Sequence, residues 1–254
     1  MQLLVDIGNT SIHWATWNGE ALGATGSARH HGGLPIDLLA AWDELDRIDA
    51  VVVACVGPAV VLDAAAKVAE ARWRCSLRQV YTSAEAHAVR VAYDEPSRLG
   101  VDRFLALVGA HAKYPGPKLI VDGGTSITYD LLLADGCHLG GLILPGVQMM
   151  RDSLLAGTQI PRHEAADADP SWAADTAEAI AAASVQAPAA LAERLYQRLS
   201  GQIDRAPTLI LTGGDAGRLM SAIALPAIHD PLLVLWGLSR FASPSASAIA
   251  ARPD

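Results

Sequence analysis

Two short segments place an acid, then glycine, then threonine directly after an apolar run: Asp6-Ile7-Gly8-Asn9-Thr10 and Asp122-Gly123-Gly124-Thr125. A turn stripped of bulky side chains lets backbone N–H groups approach phosphate oxygens closely, and a threonine hydroxyl adds another donor. A carboxylate beside a phosphate is repulsive unless a cation lies between them. Asp6 is therefore the candidate holder of Mg2+, directly or through its waters, and Asp122 of another cation near the phosphates. A single turn of this kind reads as an ordinary bend between strands; two in matching surroundings are the informative feature.

A third element, Gly100-Val101-Asp102-Arg103, opens an expected helix. Helix N-termini attract anions, and an acid followed by arginine offers a proton acceptor beside an anion clamp. The competing reading is an acid that stabilises its own helix dipole, with Arg103 as its surface partner. Gly140-Gly141 with Pro145-Gly146, and Thr212-Gly213-Gly214-Asp215, allow flat groups such as adenine or ribose to lie against the backbone, but commonplace turns look the same.

The elements that must position these residues follow from periodicity. Leu3 to Val5 is a strand that ends in the first turn, a second strand runs from Ser11 to Trp17, and Asn18-Gly19 suggests a tight type I′ hairpin into a third from about Glu20 to Ser27. Ile36, Leu39, Trp42 and Leu45 recur at helical spacing, Ala50 to Val56 reads as a strand buried on both faces, and Val60 to Trp73 is helix-like. A helix from Val101 to about Lys113 meets Pro115-Gly116-Pro117, a natural domain boundary, so residues 1–114 and 115–254 are the expected domains.

The second domain repeats the opening of the first: strands Leu119 to Val121, Ser126 to Leu133 and His138 to Leu144, with Asp135-Gly136 as a turn. Helices are expected near Val147 to Leu155 and Thr176 to Leu199, then a strand from Thr208 to Thr212 and a closing helix from about Leu232 to Phe241. Arg162 to Asp175 reads as a loop and the chain after Ser243 as a mobile tail.

Composition limits the function classes. With 254 residues, 51% hydrophobic and 18% charged, the chain suffices for one large core or two modest ones. A net charge of -8 and a pI near 5.4 leave no basic surplus for nucleic acid or an anionic membrane surface. Cys55, Cys75 and Cys137 are scattered, without zinc-site spacing, and read as reduced thiols. Asp6 interrupts the N-terminal apolar run before secretory length, and no apolar stretch approaches membrane-spanning length, so a soluble cytoplasmic protein is expected. Trp14, Trp17, Trp42 and Trp73 read as core or interface aromatics, and the pair His30-His31 as part of a solvated loop.

Taken in order, Asp6-Ile7-Gly8-Asn9-Thr10, Gly100-Val101-Asp102-Arg103, Asp122-Gly123-Gly124-Thr125, Gly140-Gly141-Leu142-Ile143-Leu144-Pro145-Gly146, Thr176-Ala177-Glu178-Ala179-Ile180 and Thr212-Gly213-Gly214-Asp215 closely resemble the motifs of the type III pantothenate kinases, within the acetate and sugar kinase, Hsp70 and actin superfamily. The resemblance implies an α/β fold of two ribonuclease-H-like, actin-like ATPase domains, each a mixed five-stranded sheet flanked by helices, with ATP in the interdomain cleft. It implies ATP-dependent phosphorylation of pantothenate to 4′-phosphopantothenate, the first step of coenzyme A biosynthesis, in a homodimer whose second protomer completes the pantothenate pocket.

By that analogy Asp102 is the general base, and Tyr93, Gly100, Val101, Asp102 and Arg103 line the pantothenate site, to which Thr176 contributes across the dimer interface. Asp6, Ile7, Gly8, Asn9, Thr10, Ser11, Ile12, His13 and Thr125 would hold ATP with its Mg2+, and Asp122 the monovalent cation, potassium or ammonium, that the family needs. Two positions depart from the family pattern: His13 stands where many members carry lysine or arginine, and Gly123 where alanine or a larger residue is common. Two other classes remain open on the residues alone: a kinase or phosphatase of the same superfamily acting on a sugar, acetate or polyphosphate, and a nucleotide-binding regulator without catalysis.

Overall fold

The computed structural model describes residues 1–160 and 172–242. In chain order it contains β1 (Gln2–Ile7), β2 (Ser11–Trp17), β3 (Leu22–Arg29), α1 (Ile36–Asp43), β4 (Ala50–Cys55), α2 (Ala59–Val68), β5 (Leu77–Gln79), β6 (Glu85–Ala86), β7 (Val89–Arg90) and α3 (Val101–Lys113). Then follow β8 (Lys118–Gly123), β9 (Ser126–Leu132), β10 (His138–Pro145), α4 (Val147–Ala156), α5 (Thr176–Ser200), β11 (Thr208–Thr212), α6 (Ala216–Ala222), β12 (Ala227–His229) and α7 (Leu233–Ser239). Most of the loop expected from Arg162, and the tail after Ser243, lie outside the described residues.

Two sheets share one topology. The first has strand order β3-β2-β1-β4-β5 and the second β10-β9-β8-β11-β12. In each, three antiparallel strands from a meander are extended by two parallel ones: β1 runs antiparallel to β2 and parallel to β4, as β8 does to β9 and β11. This is the ribonuclease-H-like arrangement, present twice.

Alternation of apolar and polar residues is absent from the middle of β1 because both faces of the central strands are covered. Leu3, Val5 and Ile7 pack with Leu38 and Trp42 of α1 and Val61 and Ala65 of α2, while Leu4 and Val52 on the other face are also fully buried. Burying a side chain of this size is worth about 1.5–3 kcal/mol, so the short strands are held by tertiary contacts rather than by propensity. In the second sheet Leu119, Val121, Ile127 and Tyr129 pack against Val147 of α4, Leu195 of α5 and Leu219 of α6.

Contacts divide the described residues into two units, one of residues 1–113 with 232–242, the other within Tyr114–Pro231. The closing helix, placed by sequence order in the second domain, packs on α3 of the first unit instead. The reason lies in two glycines: a Cβ on Gly237 would collide with the Leu105 carbonyl, and one on Gly109 with the Leu233 carbonyl, so the α3 and α7 backbones touch directly. Trp236 of α7 also meets Trp17 edge to face, with ring centroids 6.0 Å apart.

The Asn18-Gly19 turn differs from the two-residue hairpin expected. Only Gly19 takes a positive φ, and the Asn18 side chain accepts hydrogen bonds from the Glu20 and Ala21 N–H groups at 2.8 Å each. This side-chain mimicry of a backbone turn lengthens the loop to Asn18–Ala21, and β3 starts two residues late, with Trp17 opposite Leu22.

Candidate active site

In the first unit, the β1–β2 connection is closed by the Gly8 N–H donating to the Ser11 carbonyl at 2.9 Å. Asp6, near the end of β1, is almost fully buried and lies directly opposite His13 on β2. Burial pushes the His13 imidazole below its usual range, so it is uncharged at neutral pH and brings no fixed cation to the turn. The turn sits against the end of β4: the Ile7 carbonyl accepts the Val56 and Gly57 N–H groups at 3.0 and 3.1 Å. A Cβ on Gly57 would collide with the Gly8 carbonyl, so only glycine permits this approach.

The start of α3 lies at the same end of this sheet, because a Cβ on Gly100 would come 3.8 Å from the Val56 side chain. Asp102 Oδ1 accepts the Arg103 N–H at 2.8 Å, which orients its carboxylate at the helix N-terminus. Arg103 does not lie on the surface, where the competing reading expected it. It is buried, donates from Nη1 to the Tyr93 hydroxyl at 3.1 Å, and has its guanidinium 5.9 Å from the Tyr93 ring centre. The loop before Gly100 is pinned where the Thr82 hydroxyl donates to the Leu99 carbonyl at 2.8 Å. The structure thus brings Asp6, the residues of the first turn, Tyr93, Gly100, Val101, Asp102 and Arg103 into one unit, at one end of one sheet.

Two residues of this region were missed or misread in the sequence. Gly57 has no signal beyond a Gly-Pro step. His30, expected with His31 in a solvated loop, is only 6% exposed, and its Nε2 lies 2.9 Å from the Gly8 carbonyl. His31 is exposed as expected.

In the second unit three glycine-bearing turns converge. Asp122 stands beside Thr212 in the parallel register of β8 and β11. Gly213, at φ 85°, leaves no room for a Cβ against the Asp122 carboxylate and the Gly123 carbonyl. Gly146 likewise abuts the Gly124 and Thr125 carbonyls, and its N–H donates to the Thr125 carbonyl at 3.0 Å; the Asp215 N–H donates to the Gly123 carbonyl at 2.8 Å. At Gly123 an added Cβ would lie 3.0 Å from Leu219 Cδ1, a flexible side-chain end, so the departure from alanine there changes local freedom more than shape. Thr176 is exposed at the start of α5, where Asp175 caps the helix by accepting the Ala177 N–H at 2.8 Å.

Among the described residues no three acids, histidines or cysteines cluster as a protein-built metal cage. A lone carboxylate such as Asp6 can hold Mg2+ only together with phosphate oxygens, the common arrangement for this ion. The three cysteines are free, and burial raises the thiol pKa values of Cys55 and Cys75, so they are poor nucleophiles. No helix among the described residues is long and apolar enough to cross a membrane.

The family model for type III pantothenate kinase matches residues 2–198. A type III pantothenate kinase of Azoarcus sp. is 37% identical over 254 residues, covering 97% of this chain and 92% of its own. One from Alkalilimnicola ehrlichii is 34% identical over 244 residues, covering 96% and 98%. Among solved structures, a Baf family protein from Campylobacter jejuni superposes with a TM-score of 0.55 at 20% identity, covering 94% of this chain and 96% of its own, which supports the fold alone. By a family match over most of its length and by full-length relatives above 30% identity, this chain belongs to the type III pantothenate kinase family.

Proposed function

We propose that this protein transfers the γ-phosphoryl group of ATP to the hydroxyl of pantothenate with Asp102 as the general base. Family membership carries the reaction itself: ATP-dependent phosphorylation of pantothenate in coenzyme A biosynthesis, with a divalent metal ion. The observation that carries the residue roles is the placement of Asp102, Arg103 and Tyr93 at the sheet end that also bears the β1–β2 turn. Phosphoryl transfer has a loose transition state, so the protein chiefly positions groups and neutralises charge, and the base need accept the proton only late.

Each chain group then has a task. The Arg103 N–H orients the Asp102 carboxylate towards an incoming hydroxyl, and the Arg103 guanidinium, steadied by Tyr93, clamps the pantothenate carboxylate. Gly100 and Val101 line the same pocket. Asp6 to His13, together with Thr125, hold the nucleotide, with the Asn9 N–H of the turn directed at its phosphates. Mg2+ at Asp6 and a monovalent cation, potassium or ammonium, at Asp122 would supply charge neutralisation beside the phosphates.

The assembly is a homodimer in this reading, with Thr176 of one protomer completing the pantothenate pocket of the other. Leu142 and Ile143 on β10 and Met149 and Leu154 on α4 support it: all four are large, apolar and exposed. Sedimentation equilibrium is expected to give twice the chain mass.

A coupled ADP-release assay tests substrate, reaction and cation together. ADP release is expected to depend on pantothenate and to be higher in potassium than in sodium buffer. Release that does not depend on pantothenate rejects the substrate, and indifference to the buffer cation rejects the role of Asp122.

A further inference from the structure

We propose that His30 is a positioning residue for the nucleotide, locking the β1–β2 turn so that the Asn9 N–H is presented to a phosphate. The inference rests on the reading of that turn as the ATP-binding segment. Two contacts carry it. The His30 ring reaches the Gly8 carbonyl through Nε2 at 2.9 Å, and the His30 backbone N–H donates to the Thr10 carbonyl at 2.9 Å. One residue at the end of β3 therefore holds the carbonyls on both sides of Asn9.

The consequence follows from peptide geometry. In a planar trans peptide, C=O and N–H point to opposite sides, so fixing the Gly8 carbonyl fixes the Asn9 N–H in the reverse direction. The Gly8 carbonyl is turned into the body of the unit, against the His30 ring and Gly57. Asn9 itself is exposed, so its N–H is aimed at the side from which a ligand would approach. A free turn would sample both orientations of this peptide; the histidine selects one before the ligand arrives, which spares the ordering cost on binding.

A carbonyl can only accept, so Nε2 must carry the ring proton. Nδ1 is then left buried without a hydrogen-bonding partner in the structure. A residue serving packing alone would carry no such buried polar atom, and an apolar side chain of equal bulk would fill the space without it. The ring is thus suited to its contact with Gly8 rather than to its pocket.

The first test uses the wild-type full chain. Nitrogen-15 NMR of the His30 ring at pH 7.5 is expected to show a proton on Nε2; a ring protonated on Nδ1 alone overturns the proposal. The second compares His30→Leu, which removes the donor but keeps the bulk and the backbone N–H, with His30→Gln, whose amide reaches to a similar distance. Binding of a non-hydrolysable ATP analogue with Mg2+ is expected to weaken by roughly threefold to tenfold in His30→Leu, the value of one hydrogen bond. The KM for ATP should rise in parallel, that for pantothenate should stay within about twofold, and His30→Gln should recover most of the affinity.

Unchanged nucleotide affinity in a folded His30→Leu protein overturns the inference, as does an equal rise in both KM values. If His30→Leu does not fold, His30→Asn, whose amide is too short to reach Gly8, carries the same expectation. A wild-type protein that binds no nucleotide rejects the reading of the turn and this inference with it; one that binds nucleotide, with variants that bind equally well, rejects the inference alone.

Discussion

Asp102 and Arg103 are adjacent in sequence but differ in surroundings, and their substitutions should separate accordingly. Asp102 is half-buried, with its carboxylate oriented by a backbone N–H; Asp102→Asn keeps the size and the acceptor for that bond. The expected result is an intact fold and intact ATP binding with turnover lowered by about 10²-fold, the usual worth of a general base. A turnover near that of the parent removes Asp102 from the role. Arg103→Gln takes a buried guanidinium from the Tyr93 hydroxyl and is expected to raise the pantothenate KM by about tenfold while the ATP KM changes little. Arg103→Lys should not restore it, because a point charge cannot reproduce the planar fork. Equal effects on both substrates would place Arg103 elsewhere in the reaction.

Among the strands and helices, the β6–β7 hairpin is the most unusual piece. His87 and Ala88 occupy its tip with φ of 49° and 62°, the backbone that two-residue turns require but that Asn-Gly adopts with less strain. Ala88→Gly should therefore stabilise the protein by about 1 kcal/mol, read as a higher urea midpoint at unchanged m-value. His87 packs edge-on against Phe241, with centroids 4.6 Å apart, and burial, aided by the Arg240 charge, lowers its pKa. Its folded pKa lies below the unfolded one, so the unfolded chain binds more protons between the two values. The contribution is complete above about pH 6.5 and declines as the pH falls through that range. His87→Asn should flatten the fall in urea midpoint between pH 7.5 and 5.5; an unchanged slope would assign the titration to another group.

The same hairpin shows why some elements were not legible. The glycine-acid turns announce themselves because each needs residue types that little else requires, and the strands before them are continuous apolar runs. The hairpin at His87-Ala88 carries no turn signal, while β5 and β12, at three residues each, are too short for any alternation to register. His30 was hidden for another reason: its role depends on a neighbour twenty-two positions away, which no local pattern encodes.

Across the full chain, the duplicated β-β-β opening was readable because the two copies repeat the same punctuation, and it predicts the shared topology of the two sheets. Sequence order alone could not assign α7, since an amphipathic segment at the chain end suits either unit. Its place is decided by backbone contact at Gly109 and Gly237, where two helices approach too closely for any side chain. Gly237→Ala therefore tests the assignment. Its Cβ would meet the Leu105 backbone, which cannot swing aside as a side chain would, so α7 must separate from α3 and expose Leu235 and Leu238, both buried now. The expected cost is about 3 kcal/mol or more, in the range of severe overpacking, with a matching fall in urea midpoint. Gly33→Ala, where an added Cβ meets nothing within 4 Å, is the control and should change stability by less than about 0.5 kcal/mol. If both variants unfold at the same urea concentration as the parent, α7 does not close the first unit in this way, and the division of the chain would have to be redrawn.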